Sequence, residues 1–229
     1  MSLATPEKDK LLVIVGDAAF AEIAYEYFTY DSPYQVVGFA VERAYLKRDS
    51  LLGLPVIAME DMEQHFPPAT HQAFVALTYA KLNRVRARLC EVARAKGYML
   101  ANYVSSRAFV WRNVTLGDNV FIFEDNTVQP FVKLGSNVIL WSGNHIGHHS
   151  IIADHCFISS HVVVSGFCNV GEYTFIGVNA AIANNINIGS DNFIGFGVRV
   201  AKDTADDAVF LPEPEEPRKA SAKRFCKVE

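Results

Sequence analysis

Histidine is the residue type whose number and spacing in this chain most directly indicate chemistry. Five of the seven histidines fall within seventeen residues, and they are His145, His148, His149, His155 and His161. Imidazole is largely uncharged at neutral pH and accepts a proton from an attacking nucleophile, which contributes a rate factor of about 10² to 10⁴. Imidazoles at this density also suit zinc binding, or plain hydrogen bonding at a surface or subunit interface. Which of these roles is possible depends on the structural elements that hold the histidines.

An aliphatic residue recurs at every sixth position through the histidine-rich segment. The series has no missed step and consists of Val104, Val110, Leu116, Ile122, Val128, Leu134, Leu140, Ile146, Ile152, Ile158, Val164, Val170, Ile176, Ile182, Ile188, Ile194 and Val200. A period of six matches neither an α-helix nor a simple strand, but it is typical of a parallel β-helix with three hexapeptides per turn. The pattern predicts a C-terminal left-handed parallel β-helix over residues 101–203, without long loops and with functional sites on its outer walls.

The first hundred residues alternate between apolar runs and helical patterns instead. We predict strands at Leu11–Val15, Val36–Val41, Pro55–Ile57 and Ala73–Thr78, and helices at Ala18–Phe28 and Lys81–Lys96. This alternation predicts a small parallel α/β unit over residues 1–100. Residues 204–229 are polar and rich in proline, so we expect a flexible cap or disordered end in which Phe210 and Leu211 cover the last coil.

Composition excludes several classes of function. The formal net charge is -4 and there is no basic segment, so we expect no nucleic-acid partner. The four cysteines form no CxxC pair, which indicates reduced thiols. No apolar run approaches the ~20 residues that span a bilayer, and the polar N-terminus lacks the pattern of a signal peptide. We therefore expect a cytoplasmic protein with no membrane span.

The strand-turn-helix start followed by unbroken hexapeptides resembles a known family. These are the left-handed β-helix sugar acyltransferases with an N-terminal nucleotide-sugar-binding α/β domain, the sialic-acid O-acetyltransferase-like family. Its members include enzymes that N-acetylate UDP-, GDP- or dTDP-linked 4-amino-4,6-dideoxy sugars. The resemblance implies an acetyl-CoA-dependent acyltransferase for surface polysaccharides such as O-antigen, with acetyl-CoA as co-substrate, a nucleotide-linked sugar as acceptor, and a homotrimer with sites at subunit interfaces.

The same resemblance implies roles for individual residues. The family histidine lies in a stretch of the form Ile-x-His-x-x-x-Ile-Gly, and the matching run here, Ile146 to Ala153, makes His148 the general base. The next position is usually acidic in the family but is His149 here, so His149 and His145 are alternative bases or orienting groups. No carboxylate is predicted one coil above or below His148, where Gly166 and Pro130 fall, and Gly166 is a candidate oxyanion donor.

Further family positions concern the two substrates. Coenzyme A is expected along the C-terminal coils, and the matching residues are Gly166, Gly177, Ala180, Gly195 and Lys202, with Arg199 as a further phosphate contact. Each of these glycines also suits a tight coil corner. The nucleotide-sugar is expected at the turn after the first strand, at Gly16 and Asp17, although Asp17 is equally suited to cap the following helix.

Other functions remain open at this point. O-acetylation of a sugar hydroxyl, as in the sialic-acid type, uses the same residues. A zinc enzyme of the γ-carbonic anhydrase type shares the fold, but its histidine spacing is missing here, so we expect no metal. A non-catalytic scaffold would leave the α/β unit unexplained. We expect a trimer because the outer coil faces carry apolar residues that a monomer would expose, namely Phe121, Phe123, Trp141, Phe157 and Phe167.

Overall fold

The computed structural model describes residues 7–213 and 221–228. The chain forms two units that pack on each other. The first contains β1 (Lys10–Val15), α1 (Ala19–Tyr30), β2 (Tyr34–Val41), β3 (Ser50–Leu51), β4 (Leu54–Ala58), α2 (Met62–His65), β5 (His71–Val75) and α3 (Arg84–Ala95), with 3₁₀ turns at Arg43–Tyr45 and Met59–Asp61. The predicted strands and helices of this unit are all present, with ends that differ by a few residues.

The sheet of the α/β unit has the strand order β3-β4-β2-β1-β5. The strand pairs β1-β2, β1-β5 and β2-β4 are parallel, but β3 pairs antiparallel with β4, so the sheet is mixed rather than purely parallel as predicted. The cause is a two-residue hairpin at Leu52 and Gly53, both at positive φ (51° and 78°), a geometry that joins antiparallel strands. Because β2 and β5 flank β1 on opposite sides, the carboxyl end of β1 is a topological switch point, where ligands of such sheets bind.

The second unit is a β-helix with three flat faces, each a parallel sheet of two-residue strands. The docked face, which contacts the α/β unit, contains Tyr103–Val104, Phe121–Ile122, Ile139–Leu140, Phe157–Ile158, Phe175–Ile176, Phe193–Ile194 and Val209–Phe210. The second face contains Phe109–Val110, Thr127–Val128, His145–Ile146, Val163–Val164, Ala181–Ile182 and Arg199–Val200. The third face contains Thr115–Leu116, Lys133–Leu134, Ile151–Ile152, Asn169–Val170 and Asn187–Ile188.

The hexapeptide aliphatics fill the interior of the coil, as the sequence predicts. From Leu134 to Val200 every one of them is at least 95% buried, and the corner residues four positions further on, such as Cys156 and Val162, join the same core. The strands follow one another every six residues from Tyr103 to Val200, so the predicted absence of long loops is confirmed. Each coil buries its aliphatics against the coils above and below it.

The chain continues to pair with the coil beyond residue 203, where the sequence places the start of the tail. Val209–Phe210 pairs in parallel with Phe193–Ile194, and Phe210 packs on the interior aliphatics. The short, exposed helix α4 (Ala222–Phe225) follows. The rest of the predicted tail, 214–220 and 229, lies outside the described residues.

The α/β unit covers most of the apolar outer surface from which the trimer was predicted. Phe20 of α1 packs against Phe121, Phe123 and Trp141, with ring centroids 5.6 to 6.2 Å apart. Phe157 is 3% exposed. Only Phe167 of the five predicted contact residues is largely exposed, so the apolar faces give little support to a subunit interface: this chain buries them itself.

A buried arginine joins the two units at the corner between the third and docked faces, called here the docking corner. Arg86 of α3 is fully buried and donates to carbonyl oxygens on both sides, those of Leu77 and Thr78 in the α/β unit and those of Asn137 and Cys156 in the coil. Its Nε also donates to Asn137 Oδ1 at 2.8 Å. Burial lowers the pKa of Arg86 to about 10. Neutral acceptors thus hold a buried cation at the junction.

Candidate active site

The five clustered histidines are distributed over three parts of the coil. His148 and His149 are exposed at the corner between the second and third faces, called here the open corner. His145 is half-buried in its strand of the second face. His155 is half-buried at the docking corner, and the His161 ring packs against Gly143 at the remaining corner. The coil therefore brings together only His148 and His149.

His148 is held on three sides by neighbouring coils. Its backbone N–H donates to Gln129 Oε1 at 2.9 Å, and its carbonyl accepts from the N–H of Phe167 at 3.0 Å. Its Nδ1 lies 3.1 Å from Nδ1 of His149. The ring lies so close to Gly166 that a Cβ at that position would be 2.9 Å from Cε1 and Nε2 of His148. A side chain at position 166 would displace the imidazole.

Gly166 is thus beside the histidine, but its N–H is already used. It donates to Asn184 Oδ1 at 3.0 Å. As an oxyanion donor, the role predicted from the sequence, Gly166 would first have to lose this hydrogen bond, so the free donor expected at this position is not present in the structure. Asn184 is exposed, and sequence reasoning did not identify it.

Three of the residues predicted to contact coenzyme A also have a role in packing the coil, and their contact with coenzyme A stays a prediction. Ala180 is 1% exposed, its N–H donates to Gly177 O, and its carbonyl accepts from the N–H of Val163. A Cβ on Gly177 would lie 2.6 Å from the backbone nitrogen of Phe196. A Cβ on Gly195 would meet Phe210 O at 3.0 Å. Close stacking of coils accounts for all three small residues.

Lys202 remains available and shares a column with the histidine. Residues eighteen apart stack on successive coils, so His148, Gly166, Asn184 and Lys202 form one column along the open corner. With coils ~4.8 Å apart, Lys202 is about 14 Å from His148 along the axis. Small residues stand beside this column on the same coils, namely Gly147, Ser165, Ala183 and Ala201. The exposed Arg199 lies on the adjoining second face.

A separate cavity of about 730 Å³ lies in the α/β unit at the topological switch point. It is within the usual range of small-molecule pockets. Its lining comes from the segments after β1, β2 and β5 and from the start of α3, and includes Gly16, Asp17, Glu42, Thr78 and Arg84.

Both residues predicted for the nucleotide-sugar line this cavity. Gly16 has a φ of +125°, and a Cβ there would lie 2.9 Å from Ala76 O, so glycine is required for this close approach of two strands. Asp17 does not cap α1: the N-cap is Ala18, without a side-chain hydrogen bond. Asp17 lies 3.4 Å from Arg48 Nε instead. The uncapped start of α1 lines the cavity, and the free backbone N–H groups of a helix N-terminus attract anions.

Charged pairs shape the mouth of the cavity. Arg88 donates two hydrogen bonds of 2.8 Å to the Glu42 carboxylate, and this pairing lowers the pKa of Glu42. Arg84 lies over the ring of Tyr173 at 4.0 Å and next to Asp191. Sequence reasoning identified none of these residues, because their partners come from distant parts of the chain.

Within one chain the cavity and His148 are on opposite sides of the coil. The α/β unit packs on the docked face, whereas the open corner joins the two other faces. In a triangular coil this corner is the vertex opposite the docked face. A ligand in the cavity and a ligand at His148 therefore cannot meet within one chain without a large rearrangement.

The described residues contain no group of three or more His, Cys, Asp or Glu side chains placed to hold a metal ion. In the same part of the chain, no helix is long and apolar enough to cross a membrane. All four cysteines are free thiols, and only Cys226 is exposed.

Comparison with known proteins agrees with this architecture. Residues 131–166 match the family model described as bacterial transferase hexapeptide (six repeats). No curated protein matches the chain in sequence.

Several solved structures match over nearly the whole chain. A histidine-to-asparagine variant of perosamine N-acetyltransferase from Caulobacter crescentus, in complex with CoA and GDP-perosamine, has a TM-score of 0.78 at 24% identity and covers 91% of this chain and 95% of its own. The acetyltransferase domain of PglB from Neisseria gonorrhoeae has a TM-score of 0.77 at 23% identity, with coverages of 88% and 96%. WeeI from Acinetobacter baumannii has a TM-score of 0.68 at 18% identity, with the same coverages. The chain thus has the fold of these proteins, a small α/β unit followed by a left-handed parallel β-helix of hexapeptide repeats.

Proposed function

We propose that the protein is an acetyl-CoA-dependent N-acetyltransferase that acts on the amino group of a nucleotide-linked 4-amino-4,6-dideoxy sugar. The observation that carries this proposal is His148, an exposed imidazole whose Nδ1 lies within hydrogen-bond distance of a neighbouring ring and whose Nε2 has no hydrogen-bond partner within the described residues. The similar perosamine enzyme binds CoA and GDP-perosamine, and a variant of one of its histidines was prepared for that complex.

In the proposed reaction, the sugar amine attacks the carbonyl carbon of the thioester while His148 Nε2 takes the proton that the amine loses. The C–N bond forms, the C–S bond breaks, and coenzyme A leaves as the thiolate, which is then protonated. Imidazole is suited to this step because it accepts a proton near neutral pH. The column of small residues toward Lys202 supports placing the pantetheine arm along the open corner, with Lys202 and Arg199 near phosphate groups.

The cavity of the α/β unit would hold the nucleotide-sugar. Its volume, the uncapped start of α1 and the cationic side chain of Arg84 suit a nucleoside diphosphate. Because this cavity faces away from His148 in its own chain, we propose that the complete site forms between two copies, with the cavity of one copy facing the open corner of the next. A closed homotrimer satisfies this arrangement with three equal sites.

Activity is tested with acetyl-CoA and a panel of UDP-, GDP- and dTDP-linked 4-amino sugars plus free sialic acid, following release of coenzyme A. We expect turnover on one amino sugar, and His148→Asn should lower kcat by about 10² to 10⁴. His161→Asn, at a different corner, is the matched control and should retain wild-type turnover. Turnover on sialic acid alone would move the acceptor to a hydroxyl, and an active His148→Asn variant would exclude His148 as the base.

The shared site is tested by complementation. Ala19 is exposed on the first turn of α1 and lines the cavity, so Ala19→Trp should block it without disturbing the core. Ala19→Trp and His148→Asn are each expected to be nearly inactive, yet mixed oligomers from co-expression should recover activity, since one copy supplies the cavity and another the histidine. No recovery in mixed oligomers, or a monomer in light scattering, would contradict the shared site.

A further inference from the structure

The contact between the two exposed histidines has a defined chemical requirement. Nδ1 of His148 and Nδ1 of His149 are 3.1 Å apart, which is hydrogen-bond distance. Two imidazole nitrogens can share one hydrogen only if one ring donates and the other accepts. If His148 donates from Nδ1, its Nε2 carries a lone pair and can act as a base. If His148 accepts, its Nε2 carries the hydrogen and cannot.

His149 is fixed in place far more firmly than an ordinary exposed side chain. Its ring is stacked between Phe131 and Phe167, with centroid distances of 4.6 and 4.8 Å and interplanar angles of 27° and 17°. Its backbone has a φ of 59°, and its N–H donates to Pro130 O. Neighbouring coils therefore determine both the position and the plane of the imidazole.

The two phenylalanines are unusual for the positions they occupy. Each has a left-handed φ, 67° for Phe131 and 57° for Phe167, and each is more than half exposed. Of the twelve other such corners between residues 119 and 197, six carry Asn or Asp, for which left-handed backbone is less unfavourable, as at Asn137 and Asn179. Because both phenylalanine rings are largely exposed, their burial contributes little to stability. Both rings do stack on His149, one on each side.

We propose that His149 is a positioning residue: its Nδ1 accepts the hydrogen from Nδ1 of His148, which holds His148 in the tautomer whose Nε2 is basic. This inference rests on the proposed function for its catalytic consequence. A neutral ring thereby supplies the acceptor at this corner, and no carboxylate is hydrogen-bonded to either imidazole within the described residues. Phe131 and Phe167 keep the accepting nitrogen in line with His148.

Two substitutions at one position separate hydrogen bonding from packing. His149→Phe retains a stacked ring at a corner where phenylalanine is already tolerated on the coils above and below, but it removes the acceptor. His149→Asn places Oδ1 near the former Nδ1 and suits the left-handed backbone. We expect His149→Phe to lower kcat by about 100-fold with KM for acetyl-CoA within about twofold, and His149→Asn to recover most of kcat.

The tautomer is measured directly by ¹⁵N NMR of the full-length protein labelled at histidine, with His148→Asn used to assign the signals. We expect wild-type His148 to carry its hydrogen on Nδ1, and His149→Phe to shift this population toward Nε2–H. A wild-type His148 with hydrogen on Nε2, or a tautomer unchanged in His149→Phe, would overturn the inference. The NMR measurement needs no substrate. If His148 carries its hydrogen on Nδ1 but no acetyl transfer is detected, the proposed function is refuted and the positioning role of His149 is retained.

Discussion

Two histidines of this chain occupy the same hexapeptide position but have different surroundings. His149 and His155 both have left-handed backbone, with φ of 59° and 63°, and both stack on an aromatic ring of a neighbouring coil. At the open corner, His149 is exposed beside His148. At the docking corner, His155 is half-buried near Arg86 and its Nδ1 lies 2.9 Å from Asn137 Nδ2. The repeat determines the backbone of a corner, whereas the segment packed across it determines whether a histidine is half-buried or exposed.

The largest effect should come from removing the arginine that joins the docking corner to the α/β unit. Arg86→Met removes the donor to the buried Asn137 carbonyl oxygen and to the part-buried carbonyl oxygens of Leu77 and Thr78, so we expect the free energy of unfolding to fall by about 3 kcal/mol. Chemical denaturation measures this change. Arg88→Met, on the exposed side of the same helix, is the matched control and should cost less than about 1 kcal/mol. Equal stability of the two variants would show that the buried guanidinium does not hold the units together.

A second substitution tests whether His155 is structural. His155→Asn keeps a residue suited to left-handed backbone but loses the stack on Tyr173, so we expect a loss of about 1 kcal/mol in stability. Its kcat per folded molecule should remain within about twofold of wild type, in contrast to the loss proposed for His149→Phe. A selective loss of kcat in His155→Asn would contradict the division of roles between the two corners.

The docking corner should also be sensitive to acid. Desolvation lowers the pKa of His155 below its ordinary value of 6.5, and the nearby charges of Asp154, Arg86, Glu172 and Arg94 modify it. The unfolded chain therefore binds a proton that the folded chain excludes, so the stability contribution of neutral His155 is lost as the pH falls below about 6.5. Unfolding free energies measured from pH 7.5 to 5 should decline less steeply for His155→Asn. Identical pH profiles would exclude this coupling.

The smallest expected effect is on the reactivity of two buried thiols, one at the docking corner and one at the open corner. Cys156 follows His155 and Cys168 follows Phe167, yet both side chains point into the coil, and burial raises the pKa of each thiol, to about 12 for Cys156. We expect a thiol reagent to modify Cys226 rapidly and both corner cysteines only on unfolding. Rapid labelling of Cys168 in the folded protein would show that the open corner opens locally.

The fold was largely predictable because the same aliphatic position recurs in every hexapeptide. A single aliphatic residue, such as Ile152 or Ile158, does not predict a fold. The unbroken series at every sixth position predicts a parallel β-helix. The hairpin at Leu52 was missed because leucine gives no signal of positive φ. The extension of the coil at Val209 was missed because it follows a break in the period, after which pairing with Phe193 depends on three-dimensional proximity.

The site was predictable only in part, for a physical reason. Gly16 was predicted from the turn after the first strand and His148 from the resemblance to the family motif, and the role of each stays a prediction. Gln129 and Asn184 were missed because each acts through a partner eighteen or nineteen residues away, and side-chain hydrogen bonds between coils leave no local signal. The burial of Ala180 was not predicted, because the sequence does not distinguish a small residue inside a coil from one beside a groove.

The uninterrupted stacking of coils has a consequence for how such a chain can change over evolutionary time. A duplication of eighteen residues inserts one coil in phase, and a deletion of eighteen removes one, without altering any corner. If the added coil lies between His148 and Lys202, the gap between them grows by one step of ~4.8 Å, while the surroundings of each residue are preserved. The separation of His148 and Lys202 along the coil axis can therefore change only in whole steps of one coil.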